Sequence, residues 1–191
     1  LTAIFPQIME PIPGHWVVPG VTMRSSDYGG AFELAQFLVE LICQNGAMGR
    51  TVIRKVHMGG DYGEEKLFEV SQRTKELSAA TVVSEMNDAV RNIFSPKYLE
   101  AMTTTYRQAA YKEINPVDEG AKLRADGTIS KEDESTAFGL LKIHDEAIAP
   151  ETDKENSALR WGSVLSFMAG QCMGEKQLVL QQAAGKYYLN Q

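Results

Sequence analysis

Trp16-Val17-Val18-Pro19-Gly20-Val21-Thr22-Met23, then Arg24 and the run Ser25-Ser26-Asp27-Tyr28-Gly29-Gly30, is the stretch on which the fold turns. Its β-branched side chains suit a pleated, extended backbone, and the Ser/Asp/Gly run that follows supplies a turn whose glycines tolerate positive φ. The reading is therefore a strand from Trp16 to Met23 and then a hairpin-like turn. The next apolar run, Phe32 to Cys43, is ambiguous: its Leu, Glu and Ala content favours helix, whereas its place after the turn favours a second strand. Gln44-Asn45-Gly46 closes it, and Thr51 to His57 resumes in a strand-like pattern.

Upstream of this hairpin, Pro6, Pro11, Pro13 and Pro19 crowd the first twenty residues. Fixed φ angles and missing donors at that density argue against a continuous helix or a central strand. Residues 1–20 read as a Pro-rich extended arm that packs along its own domain or reaches a neighbouring subunit, with Phe5, Ile8 and Trp16 as apolar anchors.

Downstream the period changes. After Gly59-Gly60-Asp61, Leu67, Val70, Leu77, Val83, Met86, Val90 and Ile93 recur at near-helical spacing. Ser95-Pro96 ends that helix and starts another, Ser as N-cap and Pro at the first helical position, with Leu99, Met102 and Tyr106 on its buried face. Residues 115–133 hold Pro116, Gly120 and Gly127 among charges with little apolar periodicity, and read as an exposed acidic loop. Helices return over Glu134–Ala147, Asn156–Met173 and Glu175–Tyr188. Strands first and helices after make an α+β fold: an N-terminal arm and small antiparallel sheet (strand-rich part 21–60), then a mainly helical C-terminal half (61–191). With 191 residues, 43% of them hydrophobic, the chain suits one domain over 1–191.

No window reaches the eighteen or so consecutive apolar residues of a membrane span, and Leu1 to Pro19 lacks the basic start and apolar run of a secretory signal. The chain does not start with Met, so the expectation is that residues precede Leu1. Cys43 and Cys172 sit in apolar surroundings and read as buried free thiols, which suits a cytoplasmic location. The net charge of −6 is local: residues 113–155 carry 12 acidic and 5 basic side chains, and the rest of the chain sums to +1. Within that near-neutral remainder, Arg50, Arg54, Lys55 and His57 form the densest basic patch.

Chemical motifs are sparse. Asp126-Gly127-Thr128-Ile129-Ser130 looks like part of a calcium loop, but setting Gly127 at the sixth position puts Lys122 and Arg124 where oxygen ligands are required. His15, His57, His144, Cys43 and Cys172 form no pair at zinc spacing. There is no nucleophile elbow, phosphate loop or dinucleotide fingerprint, and Glu64-Glu65 and Asp145-Glu146 read as surface charges. The expectation is no enzyme, no metal and no cofactor. Tyrosines beside cations remain: Tyr62 follows the basic patch, and Tyr106-Arg107 with Tyr111-Lys112 repeats the pairing at helical spacing. Exposed rings beside cations stack bases, whereas buried ones pack a core with a polar tip.

Three segments together resemble the phage and plasmid family known as domain of unknown function 932. They are Val21-Thr22-Met23-Arg24-Ser25-Ser26-Asp27-Tyr28-Gly29, with Arg24 where the family has Asn; Cys43-Gln44-Asn45-Gly46 followed by Lys55-Val56-His57 and Gly59; and Arg160-Trp161-Gly162 with Ala183-Ala184-Gly185, where the Asn-Ala after Trp-Gly is absent. The resemblance implies a phage or plasmid setting. It supplies no catalytic residues. With the basic patch it sets the functional expectation: a single-stranded DNA-binding protein of recombination or replication, one that anneals strands as a homo-oligomer joined through the N-terminal arm. Arg24, Arg50, Arg54, Lys55 and His57 would neutralise phosphates, with Arg107 a further nucleic-acid contact and Tyr62 or Tyr106 stacking bases. The alternative is a protein-assembly or host-defence-interference module.

Overall fold

The computed structural model describes residues 2–24, 31–41, 45–56, 71–147 and 156–189. The turn at Ser25–Gly30, Cys43, Gln44, His57, Gly59-Gly60-Asp61, Tyr62, Leu67 and Val70 lie outside them. The chain is α+β: β1 (Thr2–Ile4), β2 (Met9–Ile12), β3 (His15–Arg24), β4 (Ala31–Glu40) and β5 (Asn45–Val56), then α1 (Gln72–Ile93), α2 (Pro96–Tyr111), α3 (Pro116–Ala125), α4 (Lys131–Ala147), α5 (Ala158–Gly170) and α6 (Glu175–Tyr188).

The ambiguous run after the turn is strand β4, paired antiparallel with β3 from Val17↔Glu40 to Arg24↔Glu33 and with β5 from Ala31↔Val56 to Glu40↔Asn45. Cross-strand pairing on both sides overrides the modest helix preference of its Leu, Glu and Ala residues. Gly49 and Arg50 fall opposite Gln36, where the register shifts; Gly49 leaves room for the Gln36 side chain above it.

The Pro-rich arm is an interrupted edge strand of its own sheet. β1 pairs with β3 through Thr2↔Thr22 and Ile4↔Gly20, and β2 pairs with the same strand through Met9↔Val17 and Ile12↔His15. Pro19 contradicts the expectation that proline excludes a central strand, since β3 has neighbours on both sides. Its geometry explains the exception. The Pro19 carbonyl accepts from the Phe5 N–H at 2.8 Å, so the proline nitrogen also faces the break between β1 and β2, where no ladder donor is required. Of the expected anchors, Phe5 stacks on Phe94 at 4.6 Å, whereas Ile8 and Trp16 are exposed.

The helices cover one face of the sheet. Ile12, Val17, Leu38 and Ala47 meet α2, α5 and α6 in the main core, and Val21 and Leu34 meet Ala89 and Ile93 of α1 in a smaller one. α5 is apolar on nearly all sides and buried from Ala158 to Ser166, as suits a helix surrounded by neighbours. Gly162 leaves the space that the Tyr188 ring occupies. A buried polar contact ties the layers: Glu40 of β4 accepts from the Tyr106 hydroxyl of α2 at 2.7 Å and the Ser163 hydroxyl of α5 at 3.1 Å.

The expected loop over 115–133 is instead the whole of α3, a tight turn and the start of α4. Asn115 caps the Val117 N–H, Pro116 opens α3, Asp118 and Glu119 fill its first turn, and Lys122 and Arg124 its last. This helix is written in caps and charges suited to its dipole rather than in an apolar stripe, since Gly120 and Leu123 are its buried positions. Gly127, at φ 78°, turns the chain into α4. There the Ser130 hydroxyl donates to Asp133 at 2.8 Å and accepts the Asp133 N–H at 3.1 Å, while Lys176 of α6 donates to the same carboxylate at 2.7 Å.

Burial pulls the Asp133 pKa upward, but the bonds from Lys176 and Ser130 outweigh it and hold the carboxyl below its usual range. Lys176 is raised by the same bond. A lowered carboxyl contributes stability above its unfolded pKa of about 3.9 and loses it as pH falls through the folded value; the raised amine contributes below about 10.4 and loses it on deprotonation. With Lys176 half exposed, Asp133→Asn is expected to cost about 0.5–1 kcal/mol at pH 7. Urea denaturation should show that difference shrinking as pH falls below about 4. An equal deficit at pH 7 and pH 2.5 would contradict it.

Candidate nucleic-acid interface

Strand alternation sends β3 residues 17, 19, 21 and 23 toward the helices, and therefore 16, 18, 20, 22 and 24 to the other face. On β4 the register sets 33, 35, 37, 39 and 41 on that outer face, and β1 adds Thr2 and Ile4. Among the described residues no helix packs there. Its floor is small and buried, formed by Val18, Gly20, Thr22 and Ala35. Apolar side chains rise from it: Trp16 is 50% exposed, Ile4 60% and Leu41 37%, with Phe37 and Val39 half-buried. The Phe37 ring lies over Gly46, whose missing Cβ makes the space.

The other end of this face is polar. Arg24, Glu33 and Arg54 occupy one cross-strand row, and the Arg24 guanidinium donates to Glu33 at 3.4 Å. An exposed pair of this length is worth at most about 1 kcal/mol, so Arg24 is free to exchange Glu33 for a stronger anion. A ring and a cation thus stand on one surface that no helix covers among the described residues, separated by the eight residue steps from Trp16 to Arg24, roughly 26 Å at strand rise. The acidic helices stand elsewhere: α4 packs on α5, and α5 on β5, which places α3 and α4 across the helical layer from the open face.

The candidate residues of the sequence fall in different places. Arg24 closes β3, and Arg50, Arg54 and Lys55 lie in β5, one strand removed. His57 and Tyr62 lie outside the described residues. Tyr106 is corrected: it is 1% exposed, its hydroxyl is bonded to Glu40, and its ring packs edge-on to Tyr188 at 5.5 Å, so no base has access to it. Arg107, the next residue, is exposed and donates from Nε to the Pro11 carbonyl. Trp16 is the ring that reading by neighbouring charge missed. Its signal was alternation, because it is out of phase with Val17 and Val21 on the covered face.

Among the described residues no helix is long and apolar enough to cross a membrane, and no group of three His, Cys, Asp or Glu side chains is placed to hold a metal. No family model, curated protein or solved structure matches the chain.

Proposed function

We propose that the outer face of the sheet binds single-stranded DNA, bases stacking on Trp16 and phosphates meeting Arg24 and Arg54 of that face, with Arg50 and Lys55 reached around the edge strand β5. The observation that carries this reading is the half-exposed indole on a sheet face that no helix covers among the described residues, in the same sheet as Arg24, Arg50, Arg54 and Lys55. Single strands expose the flat faces of their bases, and a sheet bearing aromatic rings is a surface on which bases stack regardless of sequence. The resemblance to the family known as domain of unknown function 932 belongs to the same proposal, and with it a recombination or replication role on phage or plasmid DNA. Self-association, in this reading, uses the exposed Ile4 and Ile8 of the N-terminal edge rather than an exchanged arm.

Anisotropy of labelled oligo-dT across a salt series tests it. Four cations on phosphate should give a log–log salt slope of about −3, and replacing Arg50, Arg54 and Lys55 together with alanine should reduce it by about 2. No binding at low salt by the folded chain sinks the proposal. In that case salt-insensitive capture of a protein by the patch of Ile4, Trp16 and Leu41 becomes the better reading.

A further inference from the structure

A cleft of about 330 Å³ opens between Glu10, Pro11, Ile12 and Pro13 at the β2–β3 turn and Arg107 and Tyr111 on α2. Its two charged side chains are each held by one backbone bond. Arg107 Nε donates to the Pro11 carbonyl at 2.5 Å, and Glu10 Oε1 accepts from the Gly14 N–H at 2.9 Å. Among the described residues neither has another hydrogen-bond or ion-pair partner, and the two do not pair with each other. Two Nη groups and one carboxylate oxygen are thereby fixed in place and left unspent, the condition in which little side-chain entropy remains to be lost on binding. Tyr111, 58% exposed, stands one helical turn beyond Arg107, with two prolines on the facing wall.

A bare anion suits this cleft poorly, since Glu10 would repel it. A planar group that accepts on one side and donates on the other suits it well. We propose that the cleft binds a guanine base, a reading that rests on strand binding by the neighbouring face, because Trp16 lies on the same hairpin. Guanine offers O6 and N7 to the Arg107 fork and its N1–H and 2-amino group to the Glu10 carboxylate, while Tyr111 and the prolines cover its faces. Adenine puts a donor where guanine has O6, and cytosine and thymine lack the O6/N7 pair. Strand binding would thus be sequence-tolerant along the sheet and selective at one base.

The test is an NMR titration of the full chain with dGMP, dIMP, dAMP and dCMP. dGMP is expected to bind about tenfold more tightly than the others, with amide shifts centred on Glu10–Gly14 and Arg107–Tyr111. Inosine keeps N1–H but lacks the 2-amino group, so it isolates that half of the Glu10 contact. Glu10→Gln keeps an oxygen for Gly14, so it should fold normally and lose the preference; Arg107→Lys should lose it as well. Equal weak binding of all four nucleotides, or dGMP shifts elsewhere, overturns the guanine site, and oligo-dT binding measured alongside shows whether strand binding survives it. Conversely, a dGMP preference in a chain that fails to bind oligo-dT sinks the strand reading and supports the cleft.

Discussion

Gly185→Ala is expected to destabilise the fold by roughly 2–3 kcal/mol, a loss of about 5–10 °C in Tm for a chain of this size. α6 crosses the backbone of β5 with the Gly185 Cα against the Met48 carbonyl, and a Cβ there would overlap that oxygen and its carbon. The obstructing atoms are main chain, so no rotamer change relieves the clash: either α6 lifts or β5 bends. Both moves strain the interface that also seats Ser166 of α5, whose hydroxyl donates to the Gly46 carbonyl at 3.2 Å. The opposing term is helix propensity, which favours Ala over Gly by about 1 kcal/mol. Gly139 isolates that term. It lies exposed inside α4 with nothing within 4 Å of an added Cβ, so Gly139→Ala should stabilise by about 0.5–1 kcal/mol. Calorimetry on the two variants therefore reads opposite signs from one chemical change. A Gly185→Ala protein as stable as the parent would mean that α6 does not lie against β5 as described.

The contrast between those glycines marks what the sequence makes legible. Ser95-Pro96 announces a helix start by local chemistry alone, and the structure has Ser95 Oγ accepting from the Tyr98 N–H at 3.3 Å. Phe32 to Cys43 has no such local decision, because its composition serves helix and strand alike and only pairing with β3 and β5 settles it. Residues 115–133 fail in the other direction. Val117 is exposed and Leu123 buried, so α3 lacks a stripe to detect, although its cap and charge order were readable. For the candidate site, alternation divides β3 into two faces without saying which one the helices will cover. That choice fixes Tyr106 as a core residue and Trp16 as a surface one, and it depends on contacts more than fifty residues apart in sequence.

Trp16→Ala should weaken oligo-dT binding by about tenfold or more at fixed salt, since one base–aromatic stack is worth roughly 1–3 kcal/mol. The fold should scarcely notice. The indole is half exposed, so the stability change should stay within about 1 kcal/mol. Trp16→Phe keeps a stacking face and should recover most of the affinity, an outcome that a merely structural contribution to the hairpin would not produce. Fluorescence supplies a second readout from the same protein. Of the two tryptophans, Trp161 is fully buried against Phe138 at 5.9 Å, out of reach of a base. Quenching on addition of DNA must then come from Trp16, and the Trp16→Phe variant should bind with its remaining emission nearly unchanged. The salt slope distinguishes this ring from the cations: losing Trp16 should shift the whole binding line without changing its slope, whereas losing Arg50, Arg54 and Lys55 should flatten it. If Trp16→Ala binds as tightly as the parent, the outer sheet face is not the DNA surface, whatever the cations of β5 contribute.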